Sequence, residues 1–238
     1  MRIFLAGAGG AIGRRLTPLL RAAGHDVIGT TRSVDKVDAL RALGAEPVVV
    51  DVFDAAALAR AVKAAAPQAI IHQLTDLAFA PGTPRYQEAL ARNARLRIEG
   101  TRNLAAAARV AKVDRMIAQS VAFLYAPGEG ARVETDPLTD EPAVAATVDA
   151  VRALEDAALS LPHGIVLRYA FFYGPGTWSP QMATRLPAVH IDAAAQAALG
   201  ALIRGKPGIY NIGADDRGLS SEKAQRELSF DPSFRFKS

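Results

Sequence analysis

Apolar residues occur along this chain in two alternating patterns. Short unbroken runs, Arg2–Ala6, Asp26–Thr30, Glu46–Val50, Ala69–His72, Arg115–Ser120 and Gly164–Tyr169, have the length and composition of buried β-strands. Between them, apolar positions recur at helical spacing. Ile12, Leu16, Leu19, Leu20 and Ala23 share one face of a helix predicted over Ala11–Ala23 and ended by Gly24. Ser33 is placed to cap a helix running to Leu43. Asp54–Ala66 is an alanine-rich helix stopped by Pro67, and Arg85–Lys112 holds one long or two adjoining helices. Val148–Leu159 is helical as well. Strands alternating with helices of this length predict an α/β fold, a Rossmann-type doubly wound parallel sheet covered on both faces. After Tyr173 the pattern loosens into a loop around Gly174-Pro175-Gly176 and Ser179-Pro180. A helix over Ala193–Ile203, a strand over Gly208–Ile212 and a polar helix with a Phe-containing tail in Ser220–Ser238 follow.

The first strand runs directly into Gly7-Ala8-Gly9-Gly10-Ala11-Ile12-Gly13. Glycines at 7, 10 and 13 suit a strand-to-helix turn that brings backbone close to a pyrophosphate, with Ala11, Ile12 and Gly13 opening the helix whose N-terminus faces the phosphates. The second strand ends in Thr30-Thr31-Arg32-Ser33, with an arginine and hydroxyls where an acid would hold the ribose hydroxyls of NAD. Thr31 and Arg32, joined by Arg14 after the last motif glycine, fit a 2′-phosphate, so NADP(H) is expected over NAD(H). Asp51, at the end of the third strand, is placed to accept from the adenine amino group or to cap the next helix, a role for which Asp54 is the better placed. Residues 1–172 are expected to form the dinucleotide-binding domain and residues 173–238 a small substrate-binding region, with parts interleaved.

Composition adds limits. The 238 residues are 50% hydrophobic and 22% charged, with net charge +4. The basic residues are scattered, which argues against nucleic acid as a partner. There is no cysteine and hence no thiolate site, and the separated His72 and His190 do not suggest a metal. No apolar stretch is long enough for a membrane span, and the expected setting is the cytoplasm.

Taken together, several stretches resemble the extended or atypical short-chain dehydrogenase/reductases, the NAD-dependent epimerase/dehydratase family. GAGGAIG is similar to its glycine motif, Val50-Asp51-Val52 to its adenine-contacting acid, and Ile70–Thr75 to its fourth-strand stretch beside the cofactor. Asn93 with Gly100–Leu104, Leu167-Arg168, Tyr173–Gly176, Val189–Asp192 and Tyr210–Gly213 follow in family order. The resemblance implies cofactor contacts from Asp51, Val52, Gln73, Leu74, Thr75, Ser120 and Phe171, a small-molecule substrate, and a homodimer through the central helices.

The chain departs from that family at the chemistry. No YxxxK occurs, and the tyrosine and lysine positions fall on Thr147 and Val151. The hydroxyl position after the fifth strand falls on Val121, one place beyond Ser120. Ser120 and Tyr125 are the remaining candidate catalytic side chains. The short joins between Trp178 and His190 and between Asp216 and Ser220 suggest a reduced or incomplete substrate cap. The expected activity is NADP-dependent oxidoreduction of a small carbonyl or hydroxyl metabolite. The alternatives are a sugar-nucleotide-type epimerase or dehydratase and a non-catalytic NADP(H)-sensing protein.

Overall fold

The computed structural model describes residues 1–77, 79, 82–214 and 218–236. Its strands are β1 (Arg2–Ala6), β2 (Asp26–Thr31), β3 (Glu46–Val49), β4 (Ala69–His72), β5 (Arg115–Val121), β6 (His163–Tyr169), β7 (Phe171–Tyr173), β8 (Ala188–His190) and β9 (Gly208–Ile212). The helices are α1 (Gly13–Ala22), α2 (Val37–Ala42), α3 (Ala55–Ala65), α4 (Tyr86–Arg95), α5 (Thr101–Val110), α6 (Ala145–Leu159), α7 (Ile191–Arg204) and α8 (Glu222–Leu228). A seven-stranded parallel sheet has the order β3-β2-β1-β4-β5-β6-β9, and β7 pairs separately with β8. This is the Rossmann architecture, in which strand order reverses between β1 and β4 and opens a crevice at the carboxyl edge.

Each strand feeds both layers because its side chains alternate. Ile3 and Leu5 of β1 face a core with Leu16 and Leu20 of α1, Leu40 of α2 and the alanine-rich face of α7. Phe4 and Ala6 face the opposite core with Leu58 and Val62 of α3, Leu104 and Ala108 of α5, and Leu154 and Ala158 of α6. Residues 173–238 are built into this frame: β9 is an edge strand of the main sheet, and α7 packs on α1.

Several boundaries differ from the sequence expectations. α1 starts at Gly13 because Ala11 and Ile12 belong to the turn that precedes it. The expected helix after Ser33 is a 3₁₀ turn, Val34–Lys36, followed by the short α2, and Ser33 makes no side-chain cap bond. Asp54 does cap α3, accepting from Ala57 N–H at 2.9 Å. The stretch over 85–112 is α4 and α5 joined by a π-helical turn, Leu96–Gly100. α7 begins two residues earlier than its apolar pattern, because the His190 ring accepts the Asp192 N–H and caps it. The ladder of β7 and β8 is not among the strands the pattern predicts; three residues a side are too few to show an alternating pattern. The sequence join after Asp215 and Asp216 lies outside the described residues, as do Lys237 and Ser238 at the end of the tail.

Candidate cofactor site

At the carboxyl edge, β1 turns into α1 through a loop that only small residues can form. Gly7 has φ +96°, and a Cβ there would stand 2.7 Å from the Gln73 carbonyl carbon and oxygen. The Gly10 N–H closes the turn on the Gly7 carbonyl at 3.0 Å. A Cβ on Gly13 would collide with the Gly7 carbonyl oxygen and lie 2.6 Å from that of Ala8. The glycines therefore hold α1 against the strand end, where the Arg14 N–H donates to the Gly10 carbonyl at 3.0 Å and the Arg15 and Leu16 N–H groups to that of Ile12 at 2.9 and 2.8 Å.

An open cleft of about 200 Å³ begins at this loop. Gly7, Gly9, Gly10, Thr30, Thr31, Arg32, Lys36, Val50, Val52, Phe53, Gln73, Leu74, Thr75, Asp76 and Leu96 line it. Of the residues singled out in the sequence, Gly7, Gly10, Thr31, Arg32, Val52, Gln73, Leu74 and Thr75 meet here. Ala11, Ile12, Gly13, Arg14, Asp51, Ser120 and Phe171 stand outside its lining. Arg14 is exposed on the first turn of α1, whereas the neighbouring Arg15 turns to Asp192 of α7 at 2.6 Å. Asp51 accepts the Phe53 N–H at 2.9 Å and so shapes the loop after β3. Phe171 stacks on Phe123, with centroids 4.2 Å apart.

Lys36 is the second cation of the cleft and was missed in the sequence. Read as a position inside a regular helix, it carried no sign of facing Arg32; the 3₁₀ turn brings it there. Phe53 was missed too, and it forms a wall backed by the Arg95 guanidinium 4.2 Å from its ring centre. The buried carboxamide of Gln73 has no hydrogen-bond partner of good geometry, although it lies beside the Tyr169 hydroxyl. Burial drives the Tyr169 pKa upward. An orphaned amide costs about 1–3 kcal/mol unless something satisfies it, and here it borders the cleft.

His72, at the end of β4, is buried. The Leu74 N–H donates to its Nδ1 at 3.2 Å, so Nε2 carries the proton and donates to Thr101 Oγ1 at 3.0 Å. Burial first, and then the nearby Arg97 charge, lower its pKa to about 4. The ring is a neutral strut beneath the cleft.

The two candidate catalytic side chains sit apart from the cleft lining, in a buried hydrogen-bond network. Ser120 is 1% exposed, and its hydroxyl donates to Glu155 Oε1 at 2.6 Å. Glu155 also accepts from Arg168 Nε at 2.8 Å and Nη2 at 2.7 Å. The Tyr125 hydroxyl accepts from Arg168 Nη1 at 2.9 Å and donates to Asn211 Oδ1 at 2.7 Å. Burial raises the Tyr125 pKa, which the Arg168 bond only partly offsets. A hydroxyl with both roles taken and a raised pKa is a structural tie between β6, β9 and the loop after β5. Sequence could not reveal this, because Ser120 and Glu155 are 35 residues apart.

Where the resemblance would place the proton-transfer groups, the structure has a small apolar cluster. Val121 and Val151 pack with Leu124 and Val148. Thr147 stands half-buried one turn before Val151. Among the described residues there is no group of three or more His, Cys, Asp or Glu able to hold a metal, and no helix is long and apolar enough to cross a membrane.

Known proteins match this chain at the level of sequence and of fold. Residues 3–207 match the NAD dependent epimerase/dehydratase family. A 3-diazoavenalumate denitrifying reductase from Streptomyces sp is 40% identical over 240 residues, covering 91% of this chain and 77% of the relative. In structure the chain is similar to a dTDP-glucose 4,6-dehydratase from Streptomyces venezuelae, with TM-score 0.77, 20% identity, and 99% and 93% of the two chains covered. A UDP-glucose 4-epimerase from Thermotoga maritima superposes with TM-score 0.75 at 19% identity, covering 99% and 94%. The glycine turn, the reversal of strand order above it and these matches have one reading: this chain belongs to the NAD-dependent epimerase/dehydratase family, within the short-chain dehydrogenase/reductases.

Proposed function

We propose that the chain is an NADP(H)-dependent reductase of a small organic substrate. The observation that carries this reading is the pairing of Arg32 and Lys36 in one cleft with Thr30 and Thr31, at the end of β2 where no carboxylate stands. Two cations and two hydroxyls there favour a phosphate monoester over a bare ribose diol. The kinship with a relative named as a reductase supports the direction of the chemistry. When bound, the dinucleotide supplies a hydride to an electrophilic substrate atom. The glycine turn would take its pyrophosphate, and Phe53 and Val52 would flank its base. The apolar cluster of Val121, Leu124, Val148 and Val151 removes the phenol–amine pair that an oxidising epimerase or dehydratase requires, and water is left as the proton source. The same cluster favours, as a second reading, a protein that binds NADP(H) without turnover.

The assay is the quench and shift of NADPH and NADH fluorescence on titration. Arg32→Ala should weaken NADPH by about 10- to 100-fold, the loss of one charge-assisted contact, while NADH changes by less than about threefold. Equal losses for both would refute the NADP assignment. Consumption of NADPH with carbonyl or other reducible substrates supports the reductase. Tight NADPH binding with no turnover on any of them supports the second reading.

A further inference from the structure

A charge deeper in the molecule has no counterpart. Arg97, in the π-helical turn between α4 and α5, is 9% exposed. Among the described residues its guanidinium makes no hydrogen bond or ion pair. The groups within its field are His72 of β4, Tyr86 at the start of α4 and Glu155 of α6. His72 is neutral, and Glu155 is already held by two bonds from Arg168. Asp76, the acid on the adjoining cleft wall, pairs with Arg92 at 3.4 Å. A buried guanidinium without an anion is costly and is retained where something pairs with it. Its nitrogens are not among the sealed, unpartnered polar atoms, which are His25 Nε2 and the two of Gln73, so they keep a path to solvent.

The surroundings say what kind of anion enters. Leu96, the residue before Arg97, lines the cofactor cleft. Tyr86, within the field of Arg97, meets the Trp178 ring edge-on, with centroids 6.3 Å apart, and Trp178 is 48% exposed. A buried cation with an aromatic pair in its field suits a planar acid better than a bulky hydrated phosphate. The 2′-phosphate cations, Arg32 and Lys36, belong to a separate element at the end of β2.

We propose that Arg97 is the anion-binding residue of the substrate site and takes the carboxylate of a small organic acid whose apolar body lies against Tyr86 and Trp178. The proposal rests on the reductase reading for its use of the word substrate, but its binding test does not depend on turnover.

Trp178 is the single tryptophan of the chain and so a built-in reporter. Benzoate and its neutral isostere benzamide are titrated against NADPH-loaded and cofactor-free protein while Trp178 emission is followed. Benzoate should quench with saturation, at an affinity about tenfold or more above that of benzamide. Arg97→Gln should abolish that preference and leave NADPH affinity within about twofold. If that variant does not fold, Arg97→Lys keeps the charge without the fork and should bind benzoate at least about threefold more weakly while still preferring it to benzamide. Equal affinities for the two probes in the wild type, or no saturable quench by benzoate, would overturn the proposal. So would unchanged benzoate binding in Arg97→Gln, or an NADPH affinity that falls with the benzoate affinity, which would make Arg97 a cofactor ligand. Failure of NADPH to bind the wild type at all would sink the cofactor reading instead, with the cofactor-free titration still judging Arg97.

Discussion

His72 ties stability to pH in a way that can be isolated. In the unfolded chain its imidazole titrates near 6.5; in the fold, burial lowers this to about 4. Above the unfolded value both states are neutral and the fold has its full stability. Between the two values the unfolded chain binds a proton that the native ring refuses, so stability falls as pH falls, and it levels off only below the folded value. At about 1.36 kcal/mol for each pH unit across this window, the whole effect is about 3 kcal/mol. Carboxylates also destabilise the fold in acid, so a single curve cannot assign the loss. The difference between wild type and His72→Asn can, because those other groups cancel. The asparagine amide keeps an acceptor for the Leu74 N–H and a donor for Thr101. Urea unfolding of both proteins, at about pH 7 and about pH 4.5, should show the wild type losing about 2–3 kcal/mol relative to the variant. Parallel stability curves would refute the reasoning and mean that the ring takes up its proton without unfolding.

Other changes probe the frame around the cleft. Glu155→Gln leaves Arg168 buried with half its partner gone and should cost about 3–5 kcal/mol in chemical unfolding, with NADPH affinity unchanged; a loss under about 1 kcal/mol would show the network to be solvated. Gly13→Ala forces a methyl group into the Gly7 and Ala8 carbonyls. It should lower stability by about 1–3 kcal/mol or more and weaken NADPH binding, and an unchanged melting temperature would contradict the close approach.

The main sheet and its helices were legible because the central strands are buried on both faces and most helices on one, which leaves plain runs and periods in the sequence. The glycine turn was legible for a related reason: steric limits at Gly7 and Gly13 admit almost nothing else. What escaped notice depends on partners far away or on local deviations from helical geometry. Lys36 reaches the cleft through a 3₁₀ turn that reads as ordinary helix. The Ser120 hydroxyl donates to Glu155, on another element, a bond that nothing near Ser120 in the sequence announces. Arg97 sits in a π turn that no hydrophobic period announces.

The contact between Arg15 and Asp192 has a consequence for how the protein is made. These residues are 177 positions apart, and the bond clamps the helix of the phosphate turn to α7. At about 5–20 residues per second, α1 leaves the ribosome about 9 to 35 seconds before its clamp does. Throughout that interval the apolar face of α1 that α7 will cover is open to water and to chaperones. The nucleotide turn is thus synthesised well before the helix that clamps it, and it is secured only when that later segment packs back on α1.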